Sequence, residues 1–315
     1  MIKNKKFQIL SFDGGGIKGI FSIAFLTKLQ KDLKIDNIMQ HFDMVAGTST
    51  GGIIALGLAS GLSSEEILNF YLKDGKHIFK KIKLFSELKR CLWCPKFSNK
   101  PLTEALKDRF GDKLLKDSER IVTIPYYNAT ENKPSVFKTP HHKDLFADGE
   151  LPMYEIALAT SAAPTYFPIH NYKNKKFIDG GIVANNPTMT AILEAICFLN
   201  IDLNNISVLN ISTTTQEKSF EKLSNSCGLK WARNIADLFM DAQGKTIAEQ
   251  AKLLLQDNYL RIDVNVPKGF TDIDDFNSKE RLILKADYKS QICAKEIKNK
   301  FCNHIANKFI YNENK

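Results

Sequence analysis

Short apolar runs alternate with segments of helical period through the first two thirds of the chain. Gln8–Phe12 is a run of the first kind and predicts a buried strand. Ile17–Leu33 follows, with Ile20, Ile23, Ala24 and Leu29 near one helical face. Phe42–Ala46 predicts a second buried strand. Thr50–Ser60 is apolar all round, so the helix it predicts belongs inside the protein, with Gly61 as its stop. Ser63 and Glu66 have capping-box spacing and open a helix running to Phe79. Pro101–Phe110 predicts a helix, Arg120–Tyr126 and Ser135–Thr139 strands, and Pro152–Ser161 a helix ended before Pro164. Lys176–Ile178 predicts a strand running into Asp179, Pro187–Leu199 a helix and Ile206–Ile211 a strand. This alternation predicts an α/β fold, a mostly parallel sheet with helices on both faces. After Ser212 the pattern changes. Leu229–Leu255 reads as helical with a break near Gly244, Tyr259–Val266 as a strand, and Asn277–Phe309 as a long lysine-rich helical stretch. Residues 1–212 are therefore expected to form an α/β core, and 213–315 a mainly helical part packed on the same domain.

Composition narrows the partners. The formal net charge of +9 comes mostly from lysine and favours anionic surfaces, phospholipid headgroups or nucleic acid. No dense basic run with interleaved aromatics occurs, so lipid is preferred and no nucleic-acid polymer is expected. Gly19–Leu26 is apolar but too short to span a bilayer, and no signal-peptide pattern is found. The chain is expected to be cytoplasmic and peripheral to the membrane when active. Six cysteines are scattered, and Cys91 and Cys94 form a lone C-x-x-C, read as reduced thiols, with zinc or redox chemistry as the alternative. Between His77 and Trp93, Ile78, Ile82, Phe85, Leu88 and Leu92 fall near one helical face among lysines. Two readings stay open there: a packed helix with solvated lysines, and a membrane-surface lid over the active site. Asp272, Asp274 and Asp275 fail the calcium-loop pattern and read as a polar turn; no metal or cofactor is expected.

Three strings carry chemistry. Gly47-Thr48-Ser49-Thr50-Gly51 holds a serine between glycines where a strand turns into a helix, the nucleophile-elbow pattern. Asp13-Gly14-Gly15-Gly16-Ile17-Lys18-Gly19 ends the first strand and offers closely spaced N–H groups for an oxyanion. Asp179-Gly180-Gly181 supplies a carboxylate. Serine needs a base within hydrogen-bond reach. In the order Ser…Asp…His only His304 is available, because His41, His77, His141, His142 and His170 all precede Asp179. A triad through His304, suited to small esters, and a dyad in which Asp179 itself takes the Ser49 proton both stay open. The glycine loop also matches a dinucleotide pattern, but Asp43 begins the second strand where an acid should end it. A non-catalytic lipid- or nucleotide-binding module is the remaining rival.

The chain resembles the patatin-like phospholipases. Four blocks carry the likeness in the family's order: Asp13–Gly19, Gly47–Gly52, Ala159–Pro168, and Asp179-Gly180-Gly181 followed by Ala184-Asn185-Asn186-Pro187. The resemblance implies phospholipase A-type hydrolysis through an acyl-enzyme. It implies Ser49 as nucleophile, Asp179 as base and an oxyanion hole from Gly14, Gly15 and Gly16. Lys18 stands where the family often has arginine; it keeps the charge and loses the planar fork. Lys18 and Thr50 are the substrate-binding candidates. Asn185 and Asn186 are expected to brace the Asp179 loop. Similar family members include anti-phage effectors switched on by cyclic nucleotides, which implies a cyclic dinucleotide activator; a homo-oligomer is left open.

Overall fold

The computed structural model describes residues 6–80, 95–216, 228–267 and 269–312, with side chains at all of these except 216 and 228–237. The strands are β1 (Phe7–Phe12), β2 (Met44–Gly47), β3 (Ile121–Asn128), β4 (Lys133–Lys138), β5 (His170–Tyr172), β6 (Lys175–Ile178), β7 (Ile206–Gln216) and β8 (Tyr259–Val266). The helices are α1 (Gly19–Leu33), α2 (Thr50–Ala59), α3 (Ser64–Ile78), α4 (Lys100–Phe110), α5 (Met153–Thr160), α6 (Gly181–Ala184), α7 (Thr188–Cys197), α8 (Gly228–Leu255) and α9 (Lys279–Phe301).

Eight strands form one sheet in the order β5-β6-β3-β2-β1-β7-β8, with β4 on β3. The centre, β3-β2-β1-β7-β8, is parallel, as the predicted βα alternation requires. Side chains alternate between two cores. Leu10 and Phe12 of β1 join Val45, Leu209 and Ile211 under α1, α2 and α9. Ile9 joins Met44, Ala46 and Val208 under α7 and the end of α8. All ten residues of α2 are buried, so the helix runs inside the protein as its uniform apolarity predicts. The capping box of α3 is formed, with Ser63 N–H donating to Glu66 Oε2 at 2.8 Å and Glu66 N–H to Ser63 Oγ at 3.2 Å.

β3 explains how the site is assembled. Thr123 pairs with both β2 and β4, so those two strands lie on opposite edges of β3. Tyr127 pairs with both β4 and β6, so β6 shares an edge with β2. β6 thus continues the line of β2 beyond its C-terminal end. The residue after β6, Asp179, arrives where the residue after the β2 turn, Ser49, departs.

Three expectations are corrected. The helix over 229–255 is not broken at Gly244: α8 is continuous, because Gly244 lies in its packed face, where an added Cβ would sit 3.7 Å from Asn185 Nδ2. Tertiary packing outweighs a glycine penalty of about 1 kcal/mol. The last helix stops at Phe301 instead of Phe309; the tail turns extended, tied by Ala306 N–H to Gln40 O at 2.8 Å and Phe309 N–H to Glu119 O at 2.9 Å. β7 runs on to Gln216 and pairs with β8, so residues beyond 212 complete the sheet. Cys91, Cys94, Phe85 and Trp93, and so the thiol pair and most of the 77–93 lid, lie outside the described residues.

Candidate active site

Ser49 sits at φ 55° and ψ −121°, a backbone region that costs a non-glycine residue of order 1–3 kcal/mol. The turn is over-determined around it. Ser49 N–H donates to Thr160 Oγ1 at 3.1 Å, and Thr160 Oγ1 donates to Pro125 O at 2.8 Å. Thr48 Oγ1 donates to Ala184 O at 2.6 Å. The chain also crosses itself closely: a Cβ at Gly47 would lie 2.0 Å from Gly51 O, and one at Gly51 would lie 2.4 Å from Phe12 O. Only glycine fits at either end of this elbow.

The strained serine is aimed at the carboxylate. Ser49 Oγ donates to Asp179 Oδ2 at 2.7 Å, and Gly181 N–H donates to Asp179 Oδ1 at 2.6 Å. Asp179 is buried, and burial pushes its carboxyl up to about 6 against those two hydrogen bonds. Both residues line a cavity of about 680 Å³ whose walls are mainly apolar, among them Ile53, Phe70, Phe79, Leu102 and Phe167. The N-terminus of α2 opens beside Ser49 and places positive partial charge there.

The three candidate oxyanion glycines are not equivalent. Gly14 N–H is engaged, donating to Asn185 O at 2.9 Å, and Gly14 does not line the cavity. Gly15 and Gly16 do line it, and their N–H groups have no acceptor among the described residues. Asn185 and Asn186 brace the site: Asn185 N–H donates to Gln243 Oε1 at 2.7 Å, and Asn186 Nδ2 donates to Asn210 Oδ1 at 3.2 Å. Thr50 lines the cavity, but its hydroxyl is shared with Tyr71 OH at 2.6 Å. Lys18 lies on the far side of the glycine loop, where Nζ donates to Thr214 O at 3.2 Å.

His304 is not brought to Ser49. Its Nε2 pairs with Asp43 Oδ2 at 2.6 Å, below the start of β2. Six residue steps, most of them along β2, lead from Asp43 to Ser49, up to about 20 Å at about 3.3 Å per residue. Among the described residues no histidine lines the apolar cavity. The triad through His304 is therefore ruled out by the end of the sheet it occupies, because the chain leaves α9 at Phe301 and folds under β2.

Sequence reasoning missed the support beneath the glycine loop. Asp13, at the end of β1, pairs with Arg261 of β8 at 2.8 Å and accepts from Asn210 Nδ2 of β7 at 2.8 Å. Arg261 also donates to Ser212 Oγ at 3.0 Å, and Tyr259 OH donates to Asn210 Oδ1 at 3.0 Å. Burial raises the Asp13 carboxyl against the Arg261 charge; burial works to lower the Arg261 guanidinium, and the charges of Asp13 and Asp263 outweigh it and raise it. A charged residue in a strand otherwise reading as buried was the available signal. Among the described residues no group of three His, Cys, Asp or Glu side chains is placed to hold a metal ion.

The profile of the patatin-like phospholipases matches residues 10–192. The chain belongs to the patatin-like phospholipase family. It is 36% identical over 234 residues to a cGAMP-activated phospholipase of Escherichia coli, covering 69% of this chain and 65% of that one. The chain thus spans just under two thirds of that relative's length. It is 31% identical to a cGAMP-activated phospholipase of Vibrio cholerae, covering 82% of each. It is 29% identical to patatin-like protein 1 of Arabidopsis thaliana, covering 87% of this chain and 78% of that one. The family match runs from within β1 into the first half of α7 and includes every residue of the elbow, the glycine loop and the Asp179 turn.

Proposed function

We propose that this patatin-like protein is a lipid acyl hydrolase of phospholipase A type, working through a Ser49–Asp179 dyad. One observation carries the reading: the 2.7 Å hydrogen bond from Ser49 Oγ to Asp179 Oδ2 on the wall of an apolar cavity. Asp179 accepts the Ser49 proton as Oγ attacks the ester carbonyl. The tetrahedral oxyanion is received by Gly15 and Gly16 N–H, each such donor being worth about 2.7–4 kcal/mol. Collapse expels the lysolipid alkoxide, which takes the proton from Asp179. Water then attacks the acyl-enzyme and gives a proton to Asp179; the second tetrahedral intermediate collapses, releasing fatty acid, and the leaving Ser49 Oγ takes that proton from Asp179. A carboxyl raised to about 6 suits this role: it is ionised at pH 7 yet more basic than an exposed aspartate.

The cavity walls support a long acyl chain as the group bound. Phe239 and Ile182, 64% and 47% exposed, line the same cavity and support entry from a lipid surface. No helix among the described residues is long and apolar enough to cross a membrane. That the Escherichia coli and Vibrio cholerae relatives are cGAMP-activated phospholipases supports a cyclic dinucleotide activator here too. We propose that the catalytic core of residues 1–212 is completed by β7 to Gln216 and by β8, with the rest of 213–315 packed on the same domain.

Fatty-acid release from mixed phospholipid vesicles, by wild type and Ser49→Ala, each with and without cGAMP, tests both levels. Release only by wild type supports the dyad, and dependence on cGAMP supports activation. Undiminished release by Ser49→Ala would sink the mechanism.

A further inference from the structure

The glycine loop separates two cavities. Behind it, away from Ser49, lies a second cavity of about 270 Å³. Lys18, Lys96, Lys245 and Arg261 line it, together with the Ser212–Thr215 hydroxyl run of β7. It shares Gly15, Tyr166, Asn185, Met240 and Ile273 with the apolar cavity. Asp13, Asp241, Asp272 and Asp274 also line it, and three of the four cations are ion-paired: Arg261 with Asp13 at 2.8 Å, Lys245 with Asp241 at 2.7 Å, and Lys96 with Asp274, while Lys18 Nζ donates to Thr214 O at 3.2 Å. These pairs differ in kind. Arg261–Asp13 is buried and fixed by Asn210 and Ser212. Lys245–Asp241 is largely exposed, so Lys245 can exchange partners at small cost, whereas Lys96–Asp274 is mostly buried, so Lys96 leaves Asp274 only for a ligand that itself supplies a replacement negative charge. One further group faces no partner: Thr214 Oγ1 is buried without a hydrogen bond among the described residues, beside the register break of β7 between Ile211 and Thr214.

We propose that this cavity binds a phosphodiester anion, which takes Lys96 and Lys245 from Asp274 and Asp241. Phosphate oxygens offer each lysine a charge-assisted hydrogen bond in place of the one it leaves. What the anion controls rests on the hydrolase reading, because both neighbours of the oxyanion glycines form the wall. Thr213 presses on Gly15, where a Cβ would lie 2.6 Å from Thr213 Oγ1. Ile273 closes over Gly16: its carbonyl accepts Ile17 N–H at 2.8 Å, and a Cβ on Gly16 would lie 2.3 Å from the same oxygen. Freeing Asp274 from Lys96 loosens the Ile273 segment next to it. The volume suits one phosphodiester with its adjoining sugar or choline, less than a whole cyclic dinucleotide. The phosphodiester therefore has two sources, a nucleotide activator or the headgroup of the lipid substrate.

The test uses the full chain as Ser49→Ala, so nothing is turned over during binding. It is titrated by equilibrium dialysis with cGAMP and, separately, with glycerophosphocholine. Saturable binding of either, weakened about tenfold or more by Lys96→Gln with Lys245→Gln, supports the proposal. Saturation by cGAMP alone names the activator as the source, and saturation by glycerophosphocholine alone names the headgroup. Where the lysine pair fails to fold, Thr214→Val removes only the unpartnered hydroxyl and is expected to weaken binding several-fold. Binding of neither ligand, or binding untouched by the variants, overturns the proposal. Fatty-acid release by wild type is scored separately, so an empty cavity and an inactive Ser49 give different results.

Discussion

Each end of β2 carries a carboxylate hydrogen-bonded to a second side chain, and the two ends do different things with it. Past the C-terminal end, Asp179 accepts a 2.7 Å hydrogen bond from Ser49 Oγ. At the N-terminal end, Asp43 holds His304 Nε2 at 2.6 Å and accepts Gln8 N–H at 2.8 Å. Both are carboxylates with a nucleophile or a base beside them, and both are mostly buried. The first opens on the apolar cavity, which neither Asp43 nor His304 lines, sits beside the α2 N-terminus and faces the Gly15 and Gly16 N–H groups, which have no acceptor among the described residues. A close carboxylate pair is thus not a site by itself; the space and the donors around it decide. In open parallel sheets those lie outside the C-terminal ends of the strands.

The largest expected effect is at the functional end. Ser49→Ala should lower kcat by about 10⁴-fold or more, since a nucleophile and its base act as a unit. Asp179→Asn should cost about as much, because asparagine keeps the hydrogen-bond geometry but cannot take the proton. Initial rates on phospholipid vesicles measure both. A loss under tenfold for either variant would break the contrast between the two ends.

The pH profile is the next measure. Asp179 must be ionised to act as base, so kcat/KM should rise about tenfold per pH unit below 6 and level off above it. An inflection near the ordinary aspartate value of 3.8 would mean that water reaches the carboxylate.

The same burial sets a stability difference. The Asp179 carboxyl is raised from 3.8 to about 6, so between those values the folded state binds more protons than the unfolded state. Stability from this group therefore falls as pH rises from about 4 to 6, by about 3 kcal/mol, and stays lower above 6. Asp179→Asn removes the buried charge. It should be more stable than wild type by up to about 3 kcal/mol at pH 8, with the gain fading below pH 4. Urea unfolding at both pH values checks the sign.

Legibility in the sequence followed the range of the interactions. The elbow was readable because its geometry is local: two glycines, one strained serine and a helix start lie within five residues. The Asp179 loop was readable through its own string, though its arrival beside Ser49 depends on β6 sharing an edge of β3 with β2. The fate of the Gly14 N–H was not readable, since it depends on the Asn185 carbonyl 171 residues away, folded over the loop. Arg261 was hidden for the same reason: its partners Asp13, Asn210 and Ser212 come from two other strands. Gly244 misled because propensity is a local quantity and the face it packs on is not.

The smallest effect on activity belongs at the other end of β2. His304→Ala removes the ring that covers Asp43 and leaves its Oδ2 with the Gln8 N–H alone. Loss of a buried partner of that kind costs about 1–3 kcal/mol, so the melting temperature should fall measurably. Turnover per folded molecule should stay within about twofold, because the change lies up to about 20 Å of chain from Ser49. Asp43→Asn should lose less stability than His304→Ala, since the amide still offers an oxygen to Gln8 N–H and a partner to the imidazole. A drop in kcat comparable to that of Asp179→Asn, with the fold intact, would instead make the histidine end part of the chemistry and erase the distinction drawn from the sheet.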